Sequence, residues 1–234
     1  MIKQAVILAG GLGTRLRPLI SEVPKCLAPV NGNPFLHYLI SYLQKNGIER
    51  FIFSVGYLHE KVEAFLKSDY PGLNYQLALE EEPLGTGGAI KLAIQQATDK
   101  NVIVCNGDTM FKVDIQALAA FHFQTNADCS LSLKPMVNFD RYGVVSIDGK
   151  GAVQSFKEKQ FYQSGLINGG VYALNTNSFN AENLPEKFSF EKDYLEKKVN
   201  EGSNYESEIF GFIQDQYFID IGIPEDYERA KLEF

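Results

Sequence analysis

The stretch Ala5-Val6-Ile7-Leu8-Ala9-Gly10-Gly11-Leu12-Gly13-Thr14-Arg15-Leu16-Arg17-Pro18 decides the fold. An unbroken apolar run stops in three glycines within four residues, the pattern of a buried strand that delivers a tight backbone loop. Glycines there let main-chain N–H groups approach a phosphate or a base without a Cβ in the way. Arg15, Arg17 and, after Pro24, Lys25 add positive charge around the same loop. A polyanion such as a nucleoside triphosphate is the expected guest.

Two common phosphate loops do not match. The P-loop needs Gly-Lys-Ser/Thr after four intervening residues, and none occurs near this loop; the dinucleotide fingerprint needs a third glycine where Leu16 stands. The chain has 234 residues, 45% of them hydrophobic, enough for one sizeable domain. A net charge of −7 supplies no global field for nucleic acid or anionic membrane, so neither is expected as a partner. No apolar run is long enough to cross a bilayer and no signal-peptide pattern opens the chain. Cys26, Cys105 and Cys129 are odd in number and widely spaced, against a disulfide framework or a zinc site, and a cytoplasmic setting is expected. Cys26 beside Lys25 is either an activated thiol or a packed, inert one.

Strand and helix patterns alternate through the first half. Strands are expected at 4–9, 51–55, 73–79 and 102–106, and helices at 34–46, 59–66, 87–96 and 114–124. This rhythm implies a Rossmann-like three-layer α/β sandwich with a mostly parallel mixed sheet. Short strands at 129–134, 142–147, 153–157 and 167–174 then suggest a β-rich, sugar-binding insertion that walls the cleft. A helix at 190–200, strands at 209–213 and 217–220 and a Pro-started helix at 224–232 complete the order. No repeat or linker divides the chain, and no hexapeptide β-helix repeat follows the last helix. A single domain is expected, with residues 1–125 facing mainly the nucleotide and 126–234 mainly the sugar phosphate.

Ligands of such sheets bind beyond the carboxyl ends of strands. Asn106-Gly107-Asp108 ends an apolar strand, and its carboxylate suits Mg²⁺ beside triphosphate oxygens, or a helix cap. Asp220, in Phe218-Ile219-Asp220-Ile221-Gly222-Ile223-Pro224, is the candidate second carboxylate, or an N-cap. The loop Glu80-Glu81-Glu82-Pro83-Leu84-Gly85-Thr86-Gly87-Gly88 is too acidic for phosphate and suits a neutral base or ribose. Lys157-Glu158-Lys159 fits a sugar phosphate or a plain solvent face, and Asn168-Gly169-Gly170 and Gly143 allow close approach to a hydroxylated ring. His37, His59 and His122 do not cluster and are read as structural.

Together these motifs, above all Gly-Gly-x-Gly-Thr-Arg-Leu-x-Pro with Pro24-Lys25, resemble the sugar-1-phosphate nucleotidyltransferase family over nearly the whole chain. The resemblance implies that Gly10, Gly11 and Gly13 line the nucleotide, with Leu8 and Thr14 beside them. It implies Arg15 on the β- and γ-phosphates, Lys25 on the α-phosphate, and Asp108 and Asp220 on Mg²⁺. These four carry the chemistry. Gly85 and Thr86 would meet the base or ribose, Lys159 the sugar phosphate, and Gly143, Glu158, Asn168 and Gly169 the sugar. Two departures stand out: Phe218 and Ile223 replace a frequent Trp and Thr around Asp220, and Gln160 replaces a frequent Pro after Lys159.

Within that family, Phe139-Asp140-Arg141-Tyr142-Gly143-Val144 and Asn168-Gly169-Gly170-Val171-Tyr172 look most like the D-glycero-alpha-D-manno-heptose 1-phosphate guanylyltransferases. GTP and that sugar phosphate are the implied substrates, with Mg²⁺ as cofactor. Mannose 1-phosphate with GTP, or N-acetylmuramate 1-phosphate with UTP, are neighbouring alternatives. A non-catalytic nucleotide-sugar sensor is the alternative of another class. The residues do not specify an oligomeric state, and a homodimer is compatible with them.

Overall fold

The computed structural model describes residues 1–11, 13, 16, 20, 22–201 and 208–234. In chain order the first half holds β1 (Gln4–Leu8), β2 (Pro29–Val30), β3 (Asn33–Pro34), α1 (Phe35–Lys45), β4 (Arg50–Val55), α2 (His59–Asp69) and β5 (Tyr75–Leu79). Then come α3 (Gly85–Ala93), β6 (Asn101–Asn106), β7 (Thr109–Phe111), α4 (Ile115–Thr125) and β8 (Cys129–Phe139). The rest comprises β9 (Val144–Ile147), β10 (Val153–Lys157), β11 (Tyr162–Asn175), α5 (Thr176–Ala181), α6 (Lys197–Glu201), β12 (Ile209–Ile213), β13 (Phe218–Asp220) and α7 (Pro224–Glu233).

Seven strands form the central sheet in the order β12-β8-β11-β6-β1-β4-β5. β1 pairs in parallel with both β4 and β6, and β12 in parallel with β8, while β11 runs antiparallel to both of its neighbours. Alternation along β1 shows why both faces are covered: Ala5 and Ile7 join one apolar cluster and Val6 the other. The first cluster takes Leu36, Leu39, Ile40 and Leu43 of α1, Val62 and Leu66 of α2, and Leu118 of α4. The second takes Ile90 and Ala93 of α3 together with Phe179, Phe190 and Tyr194. Each such side chain taken fully out of water contributes about 2 kcal/mol before entropy is counted. The result is the three-layer α/β sandwich expected.

The β-rich second half differs from expectation in placement. β8 and β11 are longer than the short strands foreseen and extend the central sheet, and the β9–β10 hairpin forms a separate pair beside them. Their pairing is long-range, so no local pattern in either strand declares it. The helix expected at 190–200 is a π-helical turn, Phe190–Glu196, running into α6. Among the described residues no helix is long and apolar enough to cross a membrane.

Candidate active site

The chain leaves β1 toward β4 on one side, and the next strand beyond β5, β6, returns to β1's other edge. The carboxyl ends of β1 and β6 therefore flank a switch in strand order, where such sheets open a crevice. Gly107 N donates to Leu8 O at 2.9 Å, which binds the two strand ends together. Gly10 stands above Glu80: a Cβ on Gly10 would lie 2.5 Å from Glu80 Oε1. That carboxylate accepts from Ser54 Oγ at 2.9 Å and from Leu84 N at 3.2 Å, so Glu80 braces the loop floor. Glu81 and Glu82 are exposed.

Lys25 opens a 3-10 turn, Lys25–Leu27, after Pro24. Gly13 packs on its stem, so that a Cβ on Gly13 would meet Lys25 Cβ at 3.2 Å. The ammonium donates to Asp108 Oδ2 and lies 3.6 Å from Asp220 Oδ1. Three residues from distant parts of the sequence thus converge. The pairing of β13 with β7 sets Asp220 opposite Thr109, and Ile221 N donates to Asp108 O at 3.0 Å. Gly222 N donates to Asp220 Oδ1 at 2.7 Å. Burial, then the neighbouring Asp108, push the Asp220 carboxyl above its ordinary range, with Lys25 and Arg141 pulling the other way.

Two carboxylates share one ammonium here, a surplus of negative charge made of hard oxygen donors. That set fits a Mg²⁺ ion, which takes one or two protein carboxylates and fills its shell with phosphate oxygens and water. No group of three or more ligating side chains forms among the described residues, and phosphate oxygens and water would complete such a shell. Cys26 is buried, its Sγ 3.9 Å from Ala9 O, and burial raises its thiol to about 12. Of the two readings of Cys26, the packed, inert thiol holds.

Asn168, Gly169 and Gly170 form a bulge in β11, where the five residues from Asn168 to Tyr172 span three of β8, Leu133 to Leu131. The bulge faces the end of β6. Gly170 has φ +72°, and a Cβ there would lie 2.5 Å from Asn106 Nδ2, so a side chain would meet both strain and collision. Gly169 packs against the Phe111 ring and Gly143 against Lys157 O. Glu158 and Lys159 are exposed at the end of β10, outside the Lys25–Asp108–Asp220 cluster. Gly85, at φ +74°, starts α3 tightly against Phe188 O, and Gly11 is exposed. The Thr86 hydroxyl donates to Glu191 Oε2 at 2.7 Å and accepts from Phe190 N at 2.9 Å, so it already has protein partners. Thr14 and Arg15 lie outside the described residues.

Sequence reasoning gave no role to Glu191, Tyr172 or Arg141. Arg141 pairs with Asp226 of α7 and lies close enough to Asp220 to lower its carboxyl. Only the charged pattern of Asp140-Arg141 hinted at it; Glu191 sits in a run of alternating charge that reads as solvent face.

The family model described as nucleotidyl transferase matches residues 4–234. A D-glycero-alpha-D-manno-heptose 1-phosphate guanylyltransferase of Aneurinibacillus thermoaerophilus is 49% identical, covering 98% of this chain and 97% of the relative. Its counterpart in Campylobacter jejuni is 44% identical over 96% of both chains. The crystal structure of HddC from Yersinia pseudotuberculosis, also solved in complex with GMP-PN, superposes with a TM-score of 0.87 at 36% identity and full coverage of both chains.

Proposed function

The chain belongs to the nucleotidyl transferase family, and on that premise we propose that it transfers a guanylyl group from GTP to D-glycero-alpha-D-manno-heptose 1-phosphate. The products are the GDP-sugar and pyrophosphate. The observation that carries the reading is the meeting of Lys25, Asp108 and Asp220 at the strand-order switch. Two nearly full-length guanylyltransferase relatives support the choice of substrates.

The reaction joins two anions. An oxygen of the sugar 1-phosphate attacks the α-phosphorus of GTP in line. The new P–O bond forms as the bond to the β-phosphate oxygen breaks, and its electron pair leaves with pyrophosphate. A phosphate monoester is already an anionic nucleophile at neutral pH, so no general base is needed. Catalysis is then positioning and neutralisation of charge. Lys25 serves the α-phosphate, where negative charge builds in the transition state. Asp108 and Asp220 would hold Mg²⁺, whose charge when bound offsets that of the triphosphate. The Gly10–Gly13 loop and Arg15 are assigned to the nucleotide, and Gly143, Glu158, Lys159, Asn168 and Gly169 to the sugar phosphate. Residues 1–125 so serve mainly the nucleotide and 126–234 mainly the sugar phosphate. Three free, buried cysteines agree with a cytoplasmic site of action.

Pyrophosphate release with Mg²⁺ tests this across GTP and UTP paired with the heptose, mannose and N-acetylmuramate 1-phosphates. The expected result is fastest release with GTP and the heptose phosphate. Fastest release with another pair corrects the substrates. Tight binding of GDP-sugar with no release from any pair overturns the enzyme reading in favour of a sensor.

A further inference from the structure

Four side chains run from the first turn of α3 to the bulge in β11. Thr86 Oγ1 donates to Glu191 Oε2 at 2.7 Å, and Ser189 Oγ adds a second donor to that oxygen at 3.2 Å. Tyr172 Oη, 3.5 Å from Glu191 Oε1, faces the other carboxylate oxygen. Asn168 Nδ2 donates to Tyr172 Oη at 2.9 Å, and Asn168 Oδ1 accepts from Gly170 N at 3.1 Å. Tyr172 is 1% exposed, so its hydroxyl has no bulk water to turn to. Glu191 sits on the π-helical turn Phe190–Glu196, a rare distortion that is frequent at functional sites.

An amide presents a donor on one side and an acceptor on the other, and a flip exchanges them. Tyr172 and Gly170 N hold the Asn168 amide in one orientation, and Glu191 orients Tyr172 in turn. We propose that Glu191 is a positioning residue that fixes Asn168 through Tyr172 and, through Thr86, ties that amide to the start of α3. The inference rests on the transfer reading above, which assigns Asn168 to the sugar.

The test uses the full chain with Tyr172→Phe and Glu191→Ala, measuring the melting temperature, kcat and both KM values. Each variant raises the sugar-phosphate KM about ten-fold, the scale of one lost hydrogen bond to a charged or buried group, and leaves the GTP KM within about two-fold. The double variant is no worse than the poorer single one, because both cut the same chain. Glu191 is only half-buried, so Glu191→Ala decides alone should Tyr172→Phe fail to fold. Wild-type turnover with an unmoved sugar-phosphate KM in a folded variant, or a loss confined to kcat, overturns the relay alone. No transfer by the wild type overturns the functional reading and the relay with it.

Discussion

Lys25 sets one positive charge between two carboxylates, and that balance decides what each substitution does. Removing it takes from Asp108 and Asp220 the ammonium they share and strips the α-phosphate of its cation. Lys25→Ala is expected to lower kcat roughly 10²–10³-fold, the cost of one lost charge-stabilising donor, with pyrophosphate release as the measurement. Asp220 runs the other way. Its charge is kept against burial and against Asp108, so the site holds it at the expense of stability. Asp220→Asn preserves shape and the acceptor for Gly222 N while removing the repulsion. In metal-free buffer its melting temperature should equal or exceed the wild-type value while activity falls about 10²-fold or more. A lower melting temperature with activity intact would show that Asp220 serves the fold and not the reaction.

At the scale of elements, the β11 bulge carries the sharpest constraint. Gly170→Ala forces a Cβ into φ +72° and to within 2.5 Å of Asn106 Nδ2. Strain and overpacking together should cost roughly 1–3 kcal/mol, read as a shifted urea midpoint, and should raise the sugar-phosphate KM by moving Asn168. Gly149→Ala is the control: a Cβ there meets nothing within 4 Å, and the midpoint should hardly move. The bulge also marks where sequence reading runs out. Strands β1 and β6 are legible because their apolar runs stop at glycine by the crevice; Asp108 follows from the end of β6, Asp220 from the end of β13, and Lys25 from its place after Pro24 beside the glycine loop. The extra residues in β11 depend on register against β8, which no local period encodes. Thr86 looked available to a ligand because its partner Glu191 lies 105 residues away. The β2–β3 pair, β7 and α5 were missed because each is too short to show a period.

Across the whole molecule, the sheet holds two separate cores, and polar groups buried between sheet and helix decide how stability follows pH. His122, on α4, is 2% exposed. Its Nδ1 lies 3.0 Å from Ser130 Oγ on β8 and its Nε2 3.0 Å from Asn101 Oδ1 on β6. Neutral imidazole suits both partners, with Nε2–H donating to the Asn101 oxygen and Nδ1 accepting from the serine hydroxyl. Burial lowers its pKa from 6.5 to about 4, with Asp128 pulling weakly upward. The folded chain therefore keeps His122 neutral where the unfolded chain already protonates it. Below about pH 6.5 the unfolded state binds more protons, so stability declines as pH falls toward about 4. Between pH 7.5 and 5 this group should cost about 2 kcal/mol, seen as a lower urea midpoint at the acid end. His122→Gln, which keeps a donor and an acceptor but does not titrate, should flatten that part of the pH profile. An equally steep decline in the variant would assign the acid sensitivity to other groups.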